Sequence, residues 1–278
     1  MPLDINVEAD KLRKMYKDDT SQKSFNVLLL GESGSGKTFL ARTCRKPIHI
    51  DSFDPGGTKG LKKWIDSGEI IPDIRYEHED PYNPTVYEAW KTEFEYRLQN
   101  NYFKNFGTYI LDSCTTWSEA IMNNVLRKAK RAGEAPMRNR DYMPQKTEII
   151  NHLQKMMNLE CDFILTGHLE AKPTTIGISK EGEVIETNVF RFLTVGKGVI
   201  IVPLKFDEIW VSEAYEKSGG VGYRLILQST GKYLARSRLA QDGILNPTEE
   251  PNMKAILKKA GRDNSDKPLL GGGNSGKN

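Results

Sequence analysis

Apolar and polar positions alternate along this chain in two different rhythms, and the rhythm changes near residue 170. Before that point, short apolar runs are separated by stretches with helical spacing. Phe25-Asn-Val-Leu-Leu-Leu30 is almost continuously apolar, as in a strand buried on both faces. A glycine-rich turn and a helix to about Arg45 follow. Pro47–Asp51 predicts a second strand and Asp73–Glu77 a third, with a helical segment over Gly60–Ile65 between them. Val86, Trp90, Phe94 and Leu98 recur at helical spacing within Pro84–Tyr102. Thr108–Asp112 predicts a buried strand, Trp117–Arg131 a helix, Ala132–Pro144 a loop, Lys146–Leu159 a helix and Asp162–His168 a core strand.

Strands alternating with helices imply a mainly parallel sheet flanked by helices. Beyond residue 170 the pattern becomes strand after strand: Thr174–Lys180, Glu183–Phe192, Val199–Pro203, Asp207–Ala214 and Gly222–Gln228. Turns are predicted at Lys180–Glu183 and Lys217–Gly220. These strands extend the sheet in antiparallel fashion. Met253–Ala260 predicts a last helix. The expected division is an N-terminal arm over 1–23 with one short helix, a single α/β domain over 24–261, and a disordered tail over 262–278 that ends in a glycine-rich run.

Composition narrows this picture without redirecting it. The 278 residues are 38% hydrophobic and 28% charged, enough for one sizeable core. There is no apolar run of about 18 residues, so no membrane span is expected, and Met1–Asn6 lacks the pattern of a signal peptide. Cys44, Cys114 and Cys161 lie far apart beside apolar segments, as buried thiols do in a reducing compartment. A cytoplasmic location is therefore expected. A net charge of +3 decides nothing about nucleic acid; only local patches bear on that.

The chemistry concentrates in Gly31-Glu32-Ser33-Gly34-Ser35-Gly36-Lys37-Thr38, a complete phosphate-binding P-loop with an apolar strand before it and Phe39-Leu-Ala after it in helical sequence. Glycines let backbone N–H groups face phosphate oxygens, and the following helix directs its positive end at the same anion. Lys37 is placed to reach the β- and γ-phosphates, and the Thr38 hydroxyl to ligate Mg²⁺. Asp112 ends an apolar strand, the position of a Walker B carboxylate on the metal. Ser113 follows it where many P-loop ATPases carry a catalytic glutamate, so the base is sought elsewhere. Asp54 has two readings: a carboxylate that polarises the attacking water, or a turn residue before Pro55-Gly56-Gly57. Asp51 is expected at the same sheet edge, with Glu77 and Glu79 as further candidates. His168, closing Thr166-Gly-His168, reads as a sensor of the γ-phosphate or as an inert strand end.

These elements together resemble the RecA-like ATPases, in particular the phage and prophage nucleotide-binding proteins that carry an AAA-type domain. The tokens are the P-loop, Ile50-Asp51-Ser52, Ile110-Leu-Asp112-Ser113, Thr166-Gly-His168, Phe206-Asp-Glu-Ile209 and Tyr233-Leu-Ala-Arg-Ser-Arg238. The resemblance implies a RecA-like core, ATP with Mg²⁺, homo-oligomers, and work on DNA in recombination, single-strand annealing or replication. It also implies a glutamate after the second strand, where this chain has Phe53 and Asp54. Arg236 and Arg238, two apart on an expected strand, suit cations offered to a neighbour's γ-phosphate, or a solvated edge.

Single-stranded DNA would meet loops bearing Arg131, Arg138, Arg140 and Lys146, then Lys172, Lys180, Arg191 and Lys197 with Phe190 and Phe192. Interleaved Glu134, Asp141, Glu181, Glu183 and Glu186 equally describe a mixed-charge surface. Two rivals to a DNA-dependent ATPase stand beside it. One is a nucleotide-gated adaptor with negligible hydrolysis that recruits a replication or packaging partner. The other is a small-molecule P-loop kinase, against which stands the lack of an arginine-rich lid helix.

Overall fold

A computed structural model describes residues 3–18, 24–138, 140–178, 184–194, 198–229 and 231–271. The chain runs through α1 (Ile5–Asp18), β1 (Asn26–Gly31), a 3₁₀ turn (Thr38–Thr43), β2 (Ile48–Ser52), α2 (Lys62–Asp66), β3 (Ile70–Asp73), α3 (Val86–Gln99) and β4 (Thr108–Asp112). It continues with α4 (Cys114–Lys128), α5 (Tyr142–Met157), β5 (Asp162–Ile178), β6 (Val184–Leu193), α6 (Gly198–Leu204) and β7 (Glu208–Lys217). Last come β8 (Gly220–Ile226), α7 (Arg238–Gln241), β9 (Thr248–Glu249) and α8 (Met253–Lys259).

One sheet of order β3-β2-β4-β5-β1-β7-β8-β9 carries the molecule, with β6 paired to β5. The pairs from β3 through to β7 are parallel. The β5–β6, β7–β8 and β8–β9 pairs are antiparallel. This is an α/β arrangement, a mainly parallel sheet extended by antiparallel strands. The P-loop strand β1 and the Asp112 strand β4 are separated by β5, so both send their carboxyl ends to one edge of the sheet. Alternation along each strand divides the core into two layers. Leu28, Leu30, Tyr109, Leu111, Phe163 and Leu165 join Trp90, Phe94, Trp117, Ile149 and Leu153 of α3, α4 and α5. Val27, Leu29, Ile50, Ile110 and Ile164 face the other way, onto Leu40, Ala41, Cys44 and the α8 residues Met253, Ile256 and Leu257. All three cysteines are buried and unpaired; burial, with the Asp162 charge adding to it against Lys267 and Arg45, pushes the Cys161 thiol up to about 12.

Several expected elements are shifted or replaced. The third strand is Ile70–Asp73, because Asp73 captures the Arg75 guanidinium (2.6 and 2.8 Å) and turns the chain there; Pro72 is tolerated because β3 is an edge strand. Thr174–Ile178 is no separate strand but the outer part of the 17-residue β5; the Lys180–Glu183 turn lies outside the described residues. Asp207–Ala214 belongs to β7, which is parallel to β1. Val199–Pro203, β-branched and apolar, is helical: Val202 is buried while Ile200 and Leu204, four apart, are exposed together. Tertiary packing overrides strand propensity here.

The expected disorder of 262–278 is corrected as far as 271. Asp263 pairs with Arg45 (3.0 Å), Asp266 accepts from Lys46 N (2.7 Å), and Lys267 N donates to Lys46 O (2.8 Å). The glycine-rich end, 272–278, lies outside the described residues. No helix among the described residues is long and apolar enough to cross a membrane.

Candidate functional site

The loop between β1 and the 3₁₀ turn opens onto a cleft of about 530 Å³ at the carboxyl edge of the sheet, lined in part by Lys37, Thr38, Asp54, Asp112 and His168. Gly34 (φ +77°) and Gly36 (φ +91°) hold left-handed backbone that a side chain would strain. Gly31 is closed in otherwise: a Cβ would lie 2.7 Å from Ser212 O on β7. Ser212 also donates to Ser35 O (2.6 Å), so β7 clamps the loop from outside. The helix expected after the P-loop is only six residues of 3₁₀ geometry. Its dipole is correspondingly small, and the loop's own N–H groups and Lys37 are left as the anion-binding groups.

Lys37 is buried. Its ammonium donates to Gly31 O (2.9 Å) and Glu32 O (2.8 Å), the carbonyls of its own loop. Burial holds its pKa below the ordinary lysine value, with Asp112, Asp54 and Glu32 opposing. Thr38 Oγ1 donates to Asp112 Oδ2 at 3.0 Å, so β1 and β4 bring together the two residues singled out for Mg²⁺. Thr166 Oγ1 donates to the other oxygen, Asp112 Oδ1. Burial pushes the Asp112 carboxyl up and the Asp54 charge adds to this, while the Thr166 and Thr38 hydroxyls pull it back.

Asp54 lies past the end of β2, beside Asp112, whose carbonyl accepts from Asp54 N (3.3 Å). Its Oδ1 accepts from Ser113 Oγ (2.9 Å) and Thr116 Oγ1 (2.6 Å), and its Oδ2 lies 2.8 Å from His168 Nε2. Burial opposes its ionisation, but the bonds from His168, Thr116 and Ser113 outweigh this and hold the carboxyl below the ordinary range. The loop carrying it is braced by Glu77, which accepts from Ser52 Oγ and from Gly56 N, each at 2.8 Å. Glu77 and Glu79 are thereby occupied structurally, since Glu79 accepts from Thr85 N (3.0 Å) and Val86 N (3.4 Å) at the start of α3.

Lys37, Thr38, Asp54, Asp112 and His168 therefore converge on one cleft, with Phe39 on the same rim. Asp51 does not. It is buried in the layer of α3, where Trp90, Arg97 and Tyr109 donate to it. Nor do Arg236 and Arg238 share a strand face. Arg236 turns inward onto Pro203 O (3.1 Å) and Phe206 O behind α6. Arg238 begins α7 and pairs with Asp207 (2.7 Å), at the opposite edge of the sheet from the P-loop.

The aromatic part of the expected single-strand surface is also absent. Phe190 and Phe192 are buried, Phe190 against Tyr233 (5.1 Å). Arg131 is held by Asp141 and Glu134, and Lys172 by Glu170. Arg138, Arg140 and Arg191 are exposed; Lys180 and Lys197 lie outside the described residues. Sequence reasoning missed Ser113, Thr116 and Thr166 as the hydroxyls that orient the two carboxylates. Thr166 carried a signal: it stands two before His168 on one strand, on the same face.

The donor set fits a nucleotide with Mg²⁺. Ser35 Oγ is buried among the loop's amides with no partner, two glycines keep the loop open to phosphate, and a hydroxyl beside a carboxylate is the hard-oxygen pair that Mg²⁺ takes. The family model described as an AAA domain matches residues 23–239. Among solved structures, a KaiC-like protein from the hyperthermophilic archaeon Pyrococcus horikoshii OT3 is similar at 14% identity over 74% of this chain and 79% of that one, with TM-score 0.38. The flagellar accessory protein FlaH from Methanocaldococcus jannaschii is similar at 13% identity over 72% and 76%, also with TM-score 0.38. No curated protein matches the sequence.

Proposed function

This chain belongs to the AAA domain family, and from that premise we propose that it binds ATP with Mg²⁺ and hydrolyses it. The observation that carries the reading is the 3.0 Å bond from Thr38 Oγ1 to Asp112 Oδ2 beside the buried Lys37. Lys37 exchanges its loop carbonyls for phosphate oxygens and offsets their charge. Thr38 and Asp112 would hold a Mg²⁺, which would supply positive charge to the triphosphate. Asp54 orients the attacking water as the β–γ bond breaks, and His168, bonded to Asp54, registers the γ-phosphate.

The wider reading is a homo-oligomeric ATPase acting on single-stranded DNA, of the kind phages use in recombination, annealing or replication. The exposed Arg138 and Arg140 before α5 support contact with a phosphate backbone. A cation offered across a subunit interface would be Arg238, whose pair with Asp207 lies at the surface, whereas the Arg236 guanidinium is turned inward onto backbone carbonyls. One observation favours a second reading, the nucleotide-gated adaptor: three donors already occupy the Asp54 carboxylate, which slows any water it orients.

ATP hydrolysis by the purified protein, with and without single-stranded DNA at low and moderate salt, tests both. Turnover lost in Lys37→Ala and stimulated by DNA in a salt-sensitive way supports the ATPase. Binding of ATP without turnover or stimulation turns the reading to the adaptor, and unaltered turnover in Lys37→Ala overturns the P-loop assignment itself.

A further inference from the structure

We propose that the base of the bound nucleotide lies on the ring of Phe39 and is selected as a purine by stacking alone, so that ATP and GTP bind about equally well. The inference rests on the nucleotide-binding reading above and deepens it. Phe39 follows Thr38 directly and lines the cleft. It is 41% exposed, while the next residue, Leu40, is 2% exposed. A phenylalanine left open at the rim of a phosphate site forgoes burial that its neighbour obtains, which is the mark of a surface kept for a ligand.

The ring is held in place. The Arg42 guanidinium lies 4.5 Å from its centroid and 5.3 Å from that of Trp64, and Arg42 Nε donates to the Phe39 carbonyl at 3.1 Å. A cation between two rings is favourable for both. At the ring's tip, Gly60 leaves no room: a Cβ there would lie 2.9 Å from Phe39 Cζ. One face is thus braced by Arg42 and the tip by bare backbone, and the other face borders the cleft. A pre-set flat surface costs little ordering on binding.

What surrounds the ring decides the selectivity. Apart from Ser33, Lys37, Thr38, Asp54, Asp112 and His168, the described residues lining the cleft beside Phe39 are Pro55, Leu61 and glycines, whose side chains carry no hydrogen-bonding group. Strong discrimination between bases requires buried polar groups that the wrong base leaves unpaired. Stacking without such groups favours large π-faces over small ones and treats adenine and guanine alike.

The test is competition by ATP, GTP, CTP and inorganic tripolyphosphate against N-methylanthraniloyl-ATP on the full chain with Mg²⁺. ATP and GTP are expected within about threefold of each other and CTP roughly tenfold weaker. Phe39→Ala should weaken ATP roughly tenfold and leave tripolyphosphate unchanged, while Phe39→Trp restores ATP. Unchanged tripolyphosphate binding also certifies that the variant folds. GTP weaker than ATP by more than about thirtyfold reveals an edge-reading group and overturns the proposal. So does unchanged ATP affinity in Phe39→Ala, above all if Tyr223→Ala, whose ring meets Gly36 from β8, weakens ATP instead. If tripolyphosphate binds but Phe39→Ala is neutral, only the platform fails; if neither ATP nor tripolyphosphate binds the natural protein, the nucleotide reading falls and the platform with it.

Discussion

Asp51 and Asp54 stand three residues apart on the same stretch of chain and live in opposite chemistries. Asp51 is fully buried. Arg97 Nη1 and His49 Nε2 lie 3.0 Å from its Oδ1, and Trp90 Nε1 (2.9 Å) and the Tyr109 hydroxyl (2.7 Å) donate to its Oδ2. Arg97 extends the network to Asp73 (2.6 Å). Every strong acceptor position is filled and no solvent reaches it, so Asp51 specifies how α3 seats on the sheet. Asp54 is only partly buried, and its donors are two hydroxyls and one imidazole. Among the described residues no guanidinium or ammonium is bonded to it; Lys37 acts on it only through space. The difference teaches that a carboxylate becomes structural when cations and rigid donors saturate it. Held by two hydroxyls and one imidazole at the rim of a cleft, three donors against four at Asp51, it keeps one acceptor position for chemistry.

Substitutions sharpen the contrast in order of size. Asp112→Ala should lower ATP turnover by about 10²–10³-fold, by removing the group that fixes Mg²⁺ charge on the triphosphate. Circular dichroism should show the fold retained, and wild-type turnover would break the assignment. Asp51→Ala should do the reverse, costing about 3–5 kcal/mol of stability because Trp90 Nε1, the Tyr109 hydroxyl and Arg97 Nη1 are left buried without their shared acceptor. Urea denaturation reads that loss, and the surviving folded protein should bind ATP normally. Asp54→Asn keeps the acceptor for Ser113 and Thr116 but loses the charge. Turnover should fall by about 10²-fold with little change in the denaturation midpoint. His168→Gln, which loosens Asp54 without removing it, should cost roughly tenfold in kcat and little in KM.

The smallest effect is one of pH. Burial raises the Asp51 carboxyl's pKa, but His49, Arg97 and Tyr109 outweigh that and hold it below the ordinary value. Asp73 is likewise held low against burial, by Arg75 and Arg97. A carboxylate depressed in the folded state contributes stability that is fully present above its unfolded pKa of about 3.9 and lost as pH falls through the folded value. The melting temperature should therefore be insensitive to this network from pH 5 to 8. Its decline below about pH 4 should be shallower in Asp51→Asn than in the natural protein.

Most of the core was legible because its signals are local. The runs Phe25–Leu30, Thr108–Asp112 and Asp162–His168 are continuous enough to be strands buried on both faces, and the P-loop's glycines encode their own backbone. The failures have a common cause. Val199–Pro203 reads as a strand on propensity and is a helix, because Val202 enters the core from a segment that Arg236 ties down at Pro203 and Phe206. The residues from 263 read as a frayed tail and are held by the Arg45 side chain and the Lys46 backbone, some two hundred positions away, and by the nearer Lys254. Phe190 and Phe192 read as stacking surfaces and are core.

By itself, the sequence determined the phosphate loop, the carboxylate at the end of β4 and the alternation that makes one sheet with two apolar layers. Each of these is written in neighbouring residues, through backbone freedom, strand period and side-chain type. Only the tertiary structure decided that Thr166, Ser113 and Thr116 orient the two carboxylates, that His168 meets Asp54, and that Asp51 and Arg236 are spent inside the fold. Hydrogen bonds form between groups brought within about 3 Å, and the spacing of residues along a chain does not say which distant strands will bring them there.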